Sequence, residues 1–296
     1  VVIGNVLNLT DLHEAEIENK RQADFLNKVV NSTSTIFFVK DEVEFVNTES
    51  NFKLLKSTFT ELFKPQIITI VIILSGFMTI YMQFYETLPN FIYDWVSTSN
   101  LAAKLNLPDF MMSNNSFGKM IDFKWLYNLN SGIIVLAVVP ITFLIRKLNL
   151  TKSLLIGLSI TTIGIICSGW SMYGSFTVAG MILYTFGEMI TNPKFNEYMS
   201  KIAPENKKSM YMGFINFSLA IGLSFGSLIG GYLYKNYSEK SGLAIEYLQT
   251  NYAANQNIDH SNSLEILMEK TGTNYYQATQ LLWDYYHPQY IWLVFG

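Results

Sequence analysis

Charged residues are scarce in this sequence. Only 15% of its 296 residues are Asp, Glu, Lys or Arg, whereas about a quarter is usual for a soluble globular protein. The net charge of −3 leaves no basic excess for neutralising phosphates, which argues against a nucleic-acid partner. Cys167 is the single cysteine, so no intrachain disulfide can form, and its apolar surroundings predict a packing role.

Signals of catalysis and of metal binding are also missing from the sequence. The histidines at 13, 260 and 287 are dispersed, and neither a Cys/His metal spacing nor a glycine-rich phosphate-binding loop occurs. No nucleophile is accompanied by a plausible base. We therefore predict that the chain is not an enzyme and that it uses no cofactor or metal.

Long hydrophobic runs are abundant, and 50% of the residues are hydrophobic. A helix needs about 20 residues to cross the hydrocarbon core of a bilayer. Buried helices of soluble proteins usually keep a polar stripe, whereas the second, third and fifth runs contain no charged residue. The runs predict an all-α membrane protein with complete spans at about 65–96, 126–145, 153–172, 176–198 and 209–234.

The remaining segments predict the domain organisation. Residues 1–64 are mixed and polar, which is typical of a linker, with a strand-like stretch at 35–39 and a membrane-surface helix at 52–64. Residues 235–289 predict a long loop. A further hydrophobic run starts at Tyr290 and stops at the end of the chain, which predicts a fragment truncated inside a membrane helix.

Basic residues predict the orientation in the membrane. The connection at 146–152 carries three basic residues and no acid, and the one at 201–208 carries three with a single acid. The positive-inside rule places both connections in the cytoplasm. By alternation residues 1–64 are cytoplasmic, and 97–125 and 235–289 face the outside. We therefore expect a multi-pass protein of the cell membrane.

Polar residues inside the runs are the candidate functional residues. A carboxylate in the bilayer costs at least about 2.5 kcal/mol on insertion scales. Glu188 in the fourth run and Glu86 in the first are therefore candidates for binding substrate or protons, although Glu86 also fits a helix emerging into the interface. Gln83 shares a helical face with Glu86, and Tyr81 and Asn130 lie at the same level. Together they predict the lining of a polar path.

Three glycines of the fifth run recur at every fourth position, at Gly222, Gly226 and Gly230. This spacing gives a membrane helix one nearly flat face, against which another helix can pack closely. We interpret the glycines as a packing surface and not as a substrate site.

Several motifs together resemble the major facilitator superfamily, and within it the proton-dependent oligopeptide transporter branch. Residues 186–193 read Phe-Gly-Glu-Met-Ile-Thr-Asn-Pro and are followed by Ala203-Pro204, which resembles the Gly-Glu-Leu motif of that branch with its downstream proline pairs. The glycines of 210–231, and Asn128-Leu-Asn130 ahead of Pro140, resemble neighbouring helices of the same branch.

This resemblance covers about residues 65–296 and implies the C-terminal six-helix half of the fold, truncated in its last helix. It implies a secondary active transporter of small solutes working by alternating access, coupled to protons, with di- or tripeptides as the first substrate class. Glu188 matches a glutamate implicated in peptide binding. Glu86 matches more loosely, because the pattern at 81–86 departs from the usual one.

The partners implied are a small-molecule substrate, protons, the lipid bilayer and the N-terminal transporter half, which is absent from this sequence. That half would carry the branch's acidic and arginine motif. A membrane sensor or scaffold that resembles a transporter is the alternative interpretation. Such a protein would fold without moving any solute.

Overall fold

The structure is a computed structural model that describes residues 51–252 and 258–296. The chain divides into two compact units, Val1–Leu55 and Lys56–Gly296, and nearly all described residues belong to the second. The predicted linker up to residue 50, with its strand-like stretch at 35–39, lies outside the described residues. A helix, α1 (Asn51–Leu62), occupies most of the segment 52–64 for which a membrane-surface helix was predicted.

The first hydrophobic run forms one helical rod with an irregular turn inside it. Helix α2 (Pro65–Met82) starts at a proline, which suits the first helical position because its missing N–H would be unpaired there anyway. The rod continues through a π-helical turn (Gln83–Thr87) into α3 (Leu88–Trp95). It is 31 residues long, more than a bilayer requires.

The later elements are helical except for one antiparallel hairpin, whose strands pair from Met112 with Ile121 to Asn115 with Gly118. Their bounds are α4 (Ser99–Leu105), β1 (Met112–Asn115), β2 (Gly118–Ile121), α5 (Phe123–Ile145), α6 (Leu150–Gly169), α7 (Gly174–Ile202), α8 (Lys208–Tyr237), α9 (Lys240–Tyr252), α10 (Ser263–Thr271), α11 (Tyr275–Tyr286) and α12 (Ile291–Phe295).

Four helical stretches among the described residues are long and apolar enough to cross a membrane: Pro65–Trp95, Phe123–Ile145, Leu150–Gly169 and part of Glu205–Tyr252. Helix α7, predicted as the fourth of five spans, is 29 residues long but carries more polar side chains. Many of them are buried against other helices, so α7 is shielded by protein along its length. The predicted all-α membrane architecture is confirmed.

Helices α6 and α7 pack with their backbones in close approach. A Cβ atom on Gly164 would lie 2.3 Å from the backbone nitrogen of Tyr184, and one on Gly187 would lie 2.4 Å from that of Thr161. A larger residue at either position would force the two helices apart. Sequence analysis did not identify this interface, because the close-packed glycines within each helix are seven residues apart, at Gly157 and Gly164 and at Gly180 and Gly187, and do not form the familiar four-residue repeat.

The four-residue glycine repeat of α8 lies against α2 and the π-helical turn. A Cβ atom on Gly222 would lie 2.4 Å from the Cβ of Met78, and one on Gly226 would lie 2.9 Å from the Cβ of Met82. At Gly230 the nearest atom would be Oε1 of Gln83, at 2.3 Å. The flat face predicted from the repeat is where these two long helices meet.

Residues 240–286 form three helices where a long loop was predicted, and we call α9, α10 and α11 the cap. Leu248, Leu267 and Leu282, one from each helix, are fully buried in a shared hydrophobic cluster. Asn274 and Gln277 form a capping box that starts α11. The sequence analysis did not predict these helices, because each of them is short and lacks a long hydrophobic run.

The other predicted outer segment, residues 97–125, also contains regular structure, in α4 and the hairpin. Its connection to the helices is fixed by backbone hydrogen bonds: Ser97 donates to Met172, and Gly174 donates to Ser97. Phe117 at the hairpin turn packs its ring against Tyr275 of α11, 4.9 Å away. The hairpin and the cap therefore lie at the same end of the bundle.

Candidate functional site

Glu188 lies near the middle of α7 with only 5% of its surface exposed. Its Oε2 atom accepts a hydrogen bond from Nδ2 of Asn130 at 2.9 Å, and its Oε1 atom accepts a longer one from Nδ2 of Asn192 at 3.4 Å. The ion pairs found in the described part of the chain involve other residues. Glu188 is thus a buried acid held by neutral amides.

Asn130 joins three helical segments at this point and is 1% exposed. Besides Glu188, its Nδ2 donates to Oγ1 of Thr185 at 3.1 Å. Its Oδ1 accepts from the hydroxyl of Tyr85 at 3.0 Å. The amide therefore connects α5 with α7 and with the π-helical turn. Thr185 was missed by the sequence analysis, although it shares a helical face with Glu188 three residues later.

Aromatic rings surround this polar cluster. The rings of Tyr81 and Tyr85 lie 4.6 Å apart, and those of Phe84 and Tyr184 stack at 4.1 Å. Tyr184 is fully buried, and its hydroxyl has no hydrogen-bond partner among the described residues. We call Glu188, Asn130, Thr185, Tyr85, Tyr81 and Tyr184 the Glu188 site.

The predicted site residues fall into two groups in the structure. Tyr81, Asn130 and Glu188 belong to the Glu188 site, whereas Gln83 and Glu86 reach α8. Gln83 is 1% exposed, and its Nε2 donates to the carbonyl oxygen of Gly226 at 2.8 Å. Glu86 is exposed and accepts from the hydroxyl of Ser227 at 2.8 Å.

A π-helical turn lies at this division, where residues two apart already point to nearly opposite sides of the helix. In a π-helical turn the hydrogen bonds run from i to i+5, so an extra residue fits within the turn and the side chains beyond it rotate relative to a regular helix. Gln83 at its start faces α8, while Tyr85 two residues later reaches Asn130 on α5. Such turns occur frequently at functional sites.

The Glu188 site lies between two hydrophobic clusters that hold the two ends of the bundle. The cluster at the cap end includes Phe84 and Tyr184, and the cluster at the opposite end includes Phe77, Phe195 and others. Along α7 the polar site therefore occupies the stretch between Tyr184 and Phe195. This stretch lies around the middle of α7.

A second buried acid, Glu61, lies at the end of the bundle opposite the cap. Its carboxylate binds Lys207 and Lys64, each at 2.7 Å, and accepts from the hydroxyl of Tyr211 at 2.8 Å. Hydrogen bonds from Lys207 and Lys64 lower the pKa of Glu61 from 4.5 to about 2. This fully paired carboxylate links α1 to the start of α8, and the sequence analysis did not identify it.

The described residues contain no group of three or more His, Cys, Asp or Glu side chains placed to hold a metal ion. The Glu188 site contributes a single carboxylate, with amides and hydroxyls around it. Its chemistry is that of a proton acceptor or of a partner for a cationic group.

Comparison with known proteins identifies the family of this chain. The family model of the Major Facilitator Superfamily matches residues 19–226, which is more than half of the chain. The chain belongs to the Major Facilitator Superfamily. The resemblance seen in the sequence is thereby confirmed for the superfamily, and the polar residues of α7 lie in a helix of a membrane transport fold.

Two curated relatives within the Major Facilitator Superfamily match parts of the chain. The uncharacterized MFS-type transporter YttB of Bacillus subtilis (strain 168) is 28% identical over 114 residues, covering 38% of this chain and 29% of the relative. The multidrug resistance protein MdtH of Edwardsiella ictaluri (strain 93-146) is 25% identical over 135 residues, covering 45% and 34%. The chain thus spans about a third of the length of these relatives. No solved structure matches it significantly.

Proposed function

We propose that the protein is a secondary active transporter of small solutes that works by alternating access and is driven by protons. The observation that carries the proposal is Glu188, a buried carboxylate without a cationic partner among the described residues. Charged residues inside membrane helices are costly, and where they occur they usually mark substrate or ion pathways. A proton or a substrate ammonium group would supply the missing positive charge.

The neighbours of Glu188 support this role. Asn130 orients the carboxylate and also donates to Thr185, and the hydroxyl of Tyr184, which has no partner among the described residues, offers a further hydrogen bond beside it. The rings of Tyr81 and Tyr85 provide faces that attract a cationic group. A substrate with an ammonium group and an apolar body fits this combination, and di- or tripeptides are the first class that we propose.

Helix irregularities near the site favour movement. Pro140 lies inside α5 and Pro193 inside α7, and each leaves a backbone carbonyl without its helical partner. Together with the π-helical turn they place a flexible point in each of the three segments that form the Glu188 site. Alternating access requires helices to rock around a fixed site near the middle of the membrane.

Export of a cationic drug is a second candidate function. One relative is named a multidrug resistance protein, and the carboxylate with aromatic rings in the Glu188 site suits an aromatic cation as well as a peptide ammonium. Both candidates assign the same role to Glu188. They differ in the substrate and in the direction of transport.

The test is transport by the Glu188→Gln variant of the complete protein in proteoliposomes under an imposed proton gradient. Peptides, a lipophilic cationic drug, a sugar and a free amino acid are compared as substrates. If Glu188 binds the substrate ammonium group, the variant loses both transport and the thermal stabilisation caused by substrate. If it carries only the proton, gradient-driven transport is lost while binding and exchange persist.

Glu205→Gln is the matched control, because Glu205 is exposed and the substitution removes the same charge. This control should transport at the wild-type rate. Undiminished transport of every substrate by Glu188→Gln would contradict the proposed role of Glu188. A folded wild-type protein that moves none of the substrates would favour the sensor or scaffold instead.

A further inference from the structure

A cavity of about 180 Å³ lies at the cap end of the bundle, apart from the Glu188 site. One wall is the connection between α6 and α7, and the other is one face of α11. Six side chains decide its chemistry: Trp170, Tyr173, Tyr276, Gln280, Trp283 and Asp284. The volume is below the roughly 300–1,000 Å³ of pockets for drug-sized ligands, so the cavity suits a small group.

The residues of α11 that line the cavity lie on one side of the helix. Tyr276, Gln280, Trp283 and Asp284 follow one another at intervals of four, three and one residues and therefore share a face. Trp283 is fixed in place, because its ring packs against Phe91 at 6.0 Å and against Trp95 at 5.8 Å. The aromatic wall is thus anchored in the hydrophobic cluster below it.

The opposite wall supplies two further rings. Trp170 lies 6.2 Å from the ring of Tyr290, and Tyr173 is 60% exposed. The backbone of this connection is fixed by the hydrogen bonds between Ser97 and its neighbours Met172 and Gly174. The two walls therefore hold four aromatic rings around one small space.

Asp284 and Gln280 are the polar groups of the cavity that lack a partner. Neither makes an ion pair or a hydrogen bond with any described residue, and no basic side chain lines the cavity. A carboxylate beside aromatic faces attracts cations, and the rings favour an organic cation over a metal ion, which needs several oxygen ligands. An anion would find no positive charge here.

We propose that this cavity binds a small organic ammonium group, which rests on the aromatic rings and pairs with Asp284. The amide of Gln280 accepts a hydrogen bond from an N–H or from a neighbouring hydroxyl of the ligand. Two sources offer this chemistry: a free ammonium solute, and the choline or ethanolamine headgroup of a lipid. The inference rests on this cavity alone and does not depend on the role of Glu188.

The test is calorimetric titration of the complete protein in detergent with tetramethylammonium chloride, at constant ionic strength against sodium chloride. We expect a Kd on the order of 1 mM, because several weak cation–π contacts act together. Asp284→Asn should weaken binding at least about tenfold. Asp284 is exposed and unpaired, so the variant should keep the wild-type thermal stability.

Glu269→Gln is the matched control: it removes one exposed negative charge from the cap, on α10, and should bind as the wild type does. Binding of glucose or sodium as strong as that of tetramethylammonium would overturn the proposal. So would unchanged affinity in the Asp284→Asn variant.

The source of the ligand is distinguished in nanodiscs. If a phosphatidylcholine headgroup occupies the cavity, tetramethylammonium should bind in phosphatidylglycerol nanodiscs and fail to bind in phosphatidylcholine nanodiscs. If the natural ligand is a free solute, tetramethylammonium should bind equally in both kinds of nanodisc. Loss of binding in both kinds of nanodisc, with binding in detergent only, would contradict the proposal.

Discussion

Two buried glutamates in this protein have opposite surroundings. Glu61 is bound by two lysines and a tyrosine, whereas Glu188 is held by amides and has no cation among the described residues. Removing one partner of a buried ion pair destabilises a protein, because it leaves an uncompensated charge. An unpaired carboxylate inside a membrane helix usually marks a substrate or ion pathway. The two glutamates are almost equally buried, at 6% and 5% exposed, so only their hydrogen-bond and ion-pair partners distinguish them.

Asn130 is the residue whose loss should disturb the Glu188 site most selectively. Asn130→Ala removes the best hydrogen bond of the carboxylate, and an unsatisfied buried polar group costs about 1–3 kcal/mol. We expect substrate affinity to fall about tenfold or more in a thermal-shift titration. Asn128→Ala, at an exposed position two residues earlier, is the control and should bind substrate normally.

Glu61→Gln should lower stability in a way that depends on pH. The pKa of Glu61 is held at about 2, below its ordinary 4.5, so its stabilising effect is complete above pH 4.5 and is lost as the pH falls toward 2. At pH 7 we expect a loss of about 1–3 kcal/mol, since its lysine partners are partly exposed. Thermal unfolding of variant and wild type should converge as the pH approaches 2, and a constant difference would refute this account.

At the scale of helices, the bundle is held by glycine faces. The α8 repeat lets α2 approach, and the spaced glycines of α6 and α7 bring those backbones together. Several large side chains of α5, by contrast, are exposed: Val135 by 77%, Leu136 by 82% and Val139 by 75%. An apolar face of this kind suits lipid or another membrane helix.

Gly222→Val should separate α2 from α8. Its side chain would collide with Met78, and overpacking of this kind costs about 1–3 kcal/mol. Gly231→Val is the matched control on the same helix, because a Cβ there meets no atom within 4 Å. Thermal unfolding in detergent should show a lower midpoint for Gly222→Val alone. Equal midpoints would mean that the glycine face carries no packing role.

At the scale of the whole molecule, the positively charged connections and the cap lie at opposite ends. Glu61 and Lys207 meet at one end, and the hairpin and the cap share the other. The positive-inside rule then predicts that the cap faces the outside of the cell. The proposed ammonium cavity would be accessible from that side.

Thiol labelling of intact cells checks this orientation. With Cys167 replaced, Asn149→Cys and Asn206→Cys should resist an impermeant reagent, because both connections are predicted to be cytoplasmic. Ser261→Cys in the cap should react. Labelling of all three after the membrane is permeabilised is the control for accessibility, and the reverse pattern in intact cells would invert the topology.

The sequence by itself determined the class of protein and the long helices, and it predicted Glu188 as a candidate functional residue. These features depend on local properties, namely the length of a hydrophobic run and the cost of a charge within it. The glycine face of α8 was predictable for the same reason, since a four-residue spacing repeats on one side of any helix.

Only the tertiary structure decided what surrounds Glu188. Asn130 is 58 residues away in the chain, and Tyr85 is a further 45 residues from Asn130. Their meeting depends on the packing of α5, α7 and the first helical rod, in which Gln83 contacts α8 and Tyr85 contacts α5. The cap likewise became visible only through its contacts, because short helices gain their stability from packing and not from their own sequence pattern.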